Sequence, residues 1–132
     1  MNSNFHPRYG EIWMCDLGNN DGSVQCGYRP VFILSNDRNN YHSPTLNVIP
    51  ITSKLQKRRL PVHVELLDYE RFGLITPSVM LVEQIMTVSK SAISHFVGRI
   101  ADADVFGQIR EAMSVQFPIV EFCVPSNRSE PA

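Results

Sequence analysis

Between Glu11 and Ile100 the apolar residues arrive in runs of only five to eight, each closed by a turn signal. The runs are Glu11–Leu17, Val31–Ser35, Thr45–Thr52, Val62–Leu66, Ser78–Ile85 and Phe96–Ile100. Short runs rich in β-branched and aromatic residues, separated by Gly, Asn, Asp, Ser and Pro, specify strands joined by loops. Val62, Val64 and Leu66 alternate with His63 and Glu65, so the two sets face opposite sides of a strand. Pro50 lacks the N–H a ladder needs, which predicts an edge or a bulge near the end of the third run. The connections 18–28 and 36–44 read as polar loops, and 53–60 as a basic loop. Helical spacing enters only after Asp102. Asp102 reads as an N-cap, and Val105, Ile109, Ala112, Met113 and Phe117 form one apolar stripe over 102–117. A mainly β chain closed by one C-terminal helix follows, as a small antiparallel barrel or half-open roll.

At 132 residues the chain fits one domain. Residues 1–124 are expected to form it, and the polar 125–132 to be a flexible tail. No βαβ alternation or dinucleotide or phosphate-loop glycine pattern occurs. No apolar stretch is long enough to span a membrane, and the first residues carry no secretory pattern, so the cytoplasm is the expected compartment. Cys15, Cys26 and Cys123 are widely separated and odd in number, which argues against a disulfide framework or zinc. The four histidines have no metal-ligand spacing, and no cofactor is expected.

Net charge is −1, yet its distribution is uneven. From Gly22 to Val64 six basic residues stand against Asp37, giving +5, while the remainder carries −6. Such a region can concentrate a polyanion on a near-neutral protein, or be an ordinary solvated face.

Paired catalytic carboxylates, a serine nucleophile elbow and an acid cluster for Mg²⁺ are all missing. Arg29 and Thr52 remain. Arg29 precedes Pro30, which biases it to an extended conformation leading into a strand, and its planar fork of donors suits a phosphate. It could equally pair with a surface acid. Thr52 ends a strand just before the basic loop, as a structural threonine could.

The stretches YGEIWMCDLG, GSVQCGYRPVFILSNDRNN, SPTLNVIPITSK, LPVHVEL and SVMLVEQIMTVSK, in this order from Tyr9 to Lys90, resemble the MazF/PemK family of toxin endoribonucleases. That resemblance implies an SH3-like barrel of the CcdB/PemK type, a homodimer, and metal-independent, sequence-selective cleavage of single-stranded RNA. It implies that Arg29 and Thr52 form the catalytic pair and that Gly22, Ser23, Gln25 and Gly27 bind RNA. It also implies neutralisation by a MazE-like antitoxin whose C-terminal segment covers the RNA site. Cleavage would proceed by attack of the 2′-OH, leaving a 2′,3′-cyclic phosphate and a 5′-OH. Arg29 suits charge stabilisation there and Thr52 positioning. Tyr28 and Tyr41 are candidates for base stacking, and Lys54, Lys57, Arg58 and Arg59 for backbone phosphates. Where relatives commonly read GSEQGG and EQIRT, this chain has Val24, Cys26 and Met86. A left-handed backbone at Cys26 would therefore be strained. The open alternative is a catalytically weak or inactive SH3-like module that binds RNA or protein.

Overall fold

A computed structural model describes residues 6–19, 22, 25–53 and 60–119. Its elements are β1 (Glu11–Asp16), β2 (Tyr28–Ile33), α1 (Asp37–His42), β3 (Thr45–Thr52), β4 (His63–Leu66), β5 (Ser78–Leu81), β6 (Met86–Ser89), β7 (Ile93–Arg99) and α2 (Ala103–Gln116). Short 3-10 turns occupy Tyr69–Phe72, Val82–Gln84 and Lys90–Ala92. The seven strands form one antiparallel sheet in the order β4-β5-β3-β2-β1-β7, with β6 also on β3. The order ends at β4 and β7, so the curled sheet is an open form of the expected barrel.

β3 is the hub. Val48–Pro50 pair with β2 on one side, while on the other Thr45–Val48 pair with β6 and Ile51–Thr52 with β5. Between β5 and β6 the register slips by three residues, the length of the Val82–Gln84 turn. Pro50 sits where this bulge interrupts the ladder, so its missing N–H has no bond to break there.

Both faces of the sheet are apolar. Ile12, Phe32, Ile51 and Met80 meet Ile109 and Met113 of α2. The other face carries Trp13, Cys15, Val31, Ile33, Leu46 and Val48. This two-sided burial explains why β2 and β3 read as continuous apolar runs rather than alternating ones.

Several local expectations are corrected. The polar stretch 36–44 contains the helix α1, because the Asn36 side chain accepts the Asn39 N–H at 2.8 Å and caps it. β2 begins at Tyr28, so Arg29 lies inside a strand, its extended pre-proline backbone already suited to pairing. The run 78–85 is a strand only as far as Leu81; it continues as the 3-10 turn Val82–Gln84, and a separate strand, β6, follows from Met86. Phe117 ends α2 at 39% exposure instead of completing its stripe, and Phe106 is buried in its place. Asp102 is the positional N-cap, but its carboxylate pairs with Arg71 instead of the helix.

Candidate active site

The β1–β2 ladder sets Cys15 opposite Arg29, and the β3–β5 ladder sets Thr52 opposite Val79. The β2–β3 ladder ends at Val31 and Pro50, and by strand alternation Arg29 and Thr52, each two residues beyond, start from the same face of the sheet as that pair. Two paired segments make up a row at this end of the sheet: Cys15 with Arg29, and Thr52 with Val79 and Glu65 of β4. Partners in such a row share a face with Cβ atoms about 5 Å apart. Arg29 and Thr52, 23 positions apart in sequence, thus start from one face at the same end of two paired strands.

Arg29 is aimed. Its Nε donates to the Cys26 carbonyl at 2.6 Å, which spends the inner edge of the guanidinium on the chain just before the strand. The terminal nitrogens make no hydrogen bond among the described residues and form a free two-pronged donor. Thr52 is buried at 3% exposure, placing its hydroxyl on a rigid strand end.

The described part of the loop before β2 is anchored at its base. Its stem is closed by the Leu17 N–H on the Gly27 carbonyl (2.9 Å) and the Gly27 N–H on the Gly18 carbonyl (2.8 Å). Gly18 and Gly27 have φ of 74° and 82°, the left-handed region that glycine tolerates. No non-glycine residue described has positive φ, so Cys26 is unstrained where relatives carry glycine. Further along, the Gln25 N–H donates to Gln84 Oε1 at 2.8 Å, tying the loop to the bulge beside β3.

The neighbouring Glu83 reaches the buried His63, with its Oε2 3.0 Å from His63 Nε2. His63 Nδ1 and Glu83 Oε1 are buried without hydrogen-bond partners. Strand geometry puts His63 about 12 Å from Thr52, two strands across and two residues along. The Glu83–Gln84 pair thus holds two walls of the site, β4 through His63 and the loop through Gln25. Sequence reasoning assigned Gln25 to the site but not Glu83, Gln84 or His63. The available signal was a Glu-Gln pair interrupting the apolar run 78–85, together with the histidine in VHVEL.

Burial, and secondarily the Asp16 charge, pushes the Cys15 thiol up to about 11, so Cys15 is a neutral packing residue in the row and not a nucleophile. Among the described residues no group of three or more His, Cys, Asp and Glu side chains could hold a metal ion. No helix among them is long and apolar enough to cross a membrane.

The other expected site residues divide. Tyr28, 54% exposed, lies beside Arg29 but starts from the opposite face of β2. Tyr41 is in α1, at the far end of β2, beyond roughly 13 Å of strand from Arg29. Its ring meets His6 and His42 at centroid distances of 4.5 and 4.8 Å, so the fold does not bring it to the Arg29 end of its own chain. Met86, where relatives carry arginine, packs against the second apolar cluster. Gly22, Gln25 and Gly27 are in the loop; Ser23, Val24, Lys54, Lys57, Arg58, Arg59 and Cys123 lie outside the described residues.

Comparison with known proteins extends this geometry. A family model described as "PemK-like, MazF-like toxin of type II toxin-antitoxin system" matches residues 8–117. The chain is 36% identical over 113 residues to Endoribonuclease EndoA of Bacillus subtilis (strain 168), covering 86% of this chain and 96% of that protein. Among solved structures, MazF from Deinococcus radiodurans superposes with a TM-score of 0.71 at 21% identity, covering 86% of this chain and 98% of that one. An endoribonuclease in complex with its cognate antitoxin from a mycobacterial species gives 0.65 at 21% identity, covering 87% and 98%.

Proposed function

Since the chain belongs to the PemK-like, MazF-like family of type II toxins, we propose that it is a toxin endoribonuclease cutting single-stranded RNA sequence-selectively without a metal. The observation that carries this reading is the guanidinium of Arg29, anchored through Nε with its terminal nitrogens left open, on the same face and at the same end of the sheet as Thr52. In this scheme RNA lies across the row with the scissile phosphate at the Arg29 fork. The ribose 2′-OH forms the new bond to phosphorus, and the bond from phosphorus to the 5′-oxygen of the next nucleotide breaks. The proton lost from the 2′-OH leaves to solvent or a base, and the departing oxygen gains one. The ends are a 2′,3′-cyclic phosphate and a 5′-OH.

Arg29 neutralises charge growing on the phosphoryl oxygens, the kind of preorganised electrostatics that carries large rate effects. Its permanent charge suits that role better than proton donation. Thr52 orients the 2′-OH or a phosphate oxygen. Gly22, Ser23, Gln25, Gly27 and Tyr28 line the RNA path, with Lys54, Lys57, Arg58 and Arg59 on backbone phosphates. RNA cleavage in the cytoplasm would stop translation and growth.

The protein acts as a homodimer in this reading. The second apolar face supports it, since Leu17, Met86, Val88 and Ala92 are only partly buried there and α2 packs on the other side. A MazE-like antitoxin would neutralise it, as the antitoxin-bound mycobacterial structure suggests by its similar fold.

The test incubates the protein with a long single-stranded RNA in excess EDTA and maps the ends. Selective cuts bearing 2′,3′-cyclic phosphates, abolished by Arg29→Ala, are expected. Intact RNA across many sequences would leave the binding module as the better reading. Continued cutting at a site with a 2′-deoxy sugar would rule out 2′-OH attack.

A further inference from the structure

On the face of β2 opposite Arg29, three side chains from two strands form a closed hydrogen-bonded triangle. The Tyr28 hydroxyl donates to Ser94 Oγ at 2.7 Å. Ser94 Oγ lies 3.1 Å from His95 Nδ1, and Tyr28 Oη 3.3 Å from the same nitrogen. The Tyr28 side chain therefore crosses over β1, where Asp16 is its strand partner, to reach β7. An exposed tyrosine would otherwise sample several rotamers; here its hydroxyl is moored, and the ring remains 54% exposed.

The direction of the relay decides what His95 offers. With the Tyr28 proton given to Ser94, the serine proton has one acceptor in the triangle, His95 Nδ1. A neutral imidazole that accepts at Nδ1 carries its hydrogen on Nε2. His95 is exposed and Nε2 has no partner among the described residues, so in the tautomer that accepts the serine proton at Nδ1 it presents a free N–H beside the tyrosine ring, with ring centroids 6.5 Å apart at 49°. A fixed aromatic face next to a single oriented donor is the minimal equipment for one unpaired base: a surface to stack on and a hydrogen bond to its edge.

We propose that Tyr28, Ser94 and His95 form a base-specificity subsite for a nucleotide flanking the scissile phosphate, selecting uracil or guanine through its O4 or O6 carbonyl oxygen. This rests on the endoribonuclease reading for its ligand. Uracil and guanine present carbonyl oxygens where cytosine and adenine present amino groups. An N–H on His95 bonds the first pair and confronts the second with a like donor. Tyr28 and Arg29 are consecutive, so the subsite is tied to the catalytic row by one peptide unit, on the other face of the strand.

The experiment replaces each nucleotide flanking the mapped cut with U, G, C, A or an abasic residue and measures single-turnover cleavage. For the wild type, one position is expected to favour U or G over C or A by about five- to tenfold, about one hydrogen bond, carried in affinity more than in the cleavage step. His95→Ala and Ser94→Ala should reduce that preference to below about twofold, the loss of that bond. Tyr28→Phe should lose the preference yet keep the penalty for an abasic residue, whereas Tyr28→Ala should lose that penalty too. All three positions are exposed. Equal thermal stability of the variants confirms that the fold is untouched. A flanking preference unchanged in His95→Ala, or one for C or A, overturns the proposal. Should the wild type cut no RNA, the endoribonuclease reading fails separately. The same oligonucleotides measured for binding then decide the subsite by the same pattern of preferences.

Discussion

Replacing Arg29 by lysine (Arg29→Lys) separates the charge of the guanidinium from its aim. Arginine has five N–H donors on three nitrogens. Nε is committed to the Cys26 carbonyl at 2.6 Å, which leaves both terminal nitrogens to grip two phosphoryl oxygens. Lysine has one nitrogen for both tasks. If it faces the phosphate it makes one strong contact in place of a two-pronged one, and the Cys26 carbonyl loses its donor. If it takes over the carbonyl, it is no longer centred on the phosphate. Either way one charge-assisted hydrogen bond is lost, worth about 2–3 kcal/mol. The cleavage rate should fall roughly 30- to 150-fold. RNA affinity should change less than about threefold, because the positive charge that attracts the backbone is retained. Arg29→Ala, which removes charge and fork together, should lose about a thousandfold or more. Single-turnover cleavage of a labelled oligonucleotide at saturating protein gives the rate, and its concentration dependence gives the affinity. An Arg29→Lys variant within about threefold of wild type in rate would refute the argument, since less than one such bond would then be missing. A loss found entirely in affinity would refute it equally.

Gly98→Ala tests the fold behind the site. A Cβ there would intrude on the Phe72 carbonyl, which is backbone and has no rotamer to yield, so unfolding in denaturant should show a loss of about 1–3 kcal/mol. Cys15 has a pH signature. Its folded thiol ionises near 11, above the unfolded value near 9, so the unfolded state sheds its proton first as pH rises. The contribution is complete below about pH 9 and is lost progressively up to about pH 11, on the order of 3 kcal/mol. A stability-against-pH curve for Cys15→Ala should lack that extra decline. For RNA binding, replacing Lys54, Lys57, Arg58 and Arg59 together by alanine in an Arg29→Ala background should flatten the salt slope by up to about 3, since single strands release about 0.7 counterion per phosphate contacted. An unchanged slope would remove those side chains from the phosphate path.

Much of this molecule was legible before folding. β3 matches its expected span, Thr45–Thr52, because a continuous apolar run bounded by Pro44 and a polar loop leaves little choice of ends. The helix after Asp102 declared itself by its 3.6-residue stripe. α1 did not, because six polar residues carry no apolar period; its formation depends on the Asn36 cap and on Asn40, which is buried with its side chain bonded to Ser35. β6 was missed for a different reason. The bulge at Val82–Gln84 is invisible in a run that stays apolar on both sides, and only pairing to β3 reveals the three-residue slip.

The same division holds at the site. Sequence determined the chemical kinds present: an arginine locked by a following proline, a strand-ending threonine, glycines for left-handed turns, and the ordered motifs of a toxin family. These are local properties, set by backbone sterics and short-range pattern, so the chain carries them before it folds. Tertiary structure decided which of them meet. Antiparallel pairing brought Arg29 and Thr52 to one face at the same end of β2 and β3 and sent Tyr41 to the far end of the strand. It placed His63 against Glu83 and drew Tyr28 across β1 to Ser94 and His95. Register is fixed by burying both faces of the sheet at once, a global packing condition, and a one-residue slip would turn Arg29 to the other side.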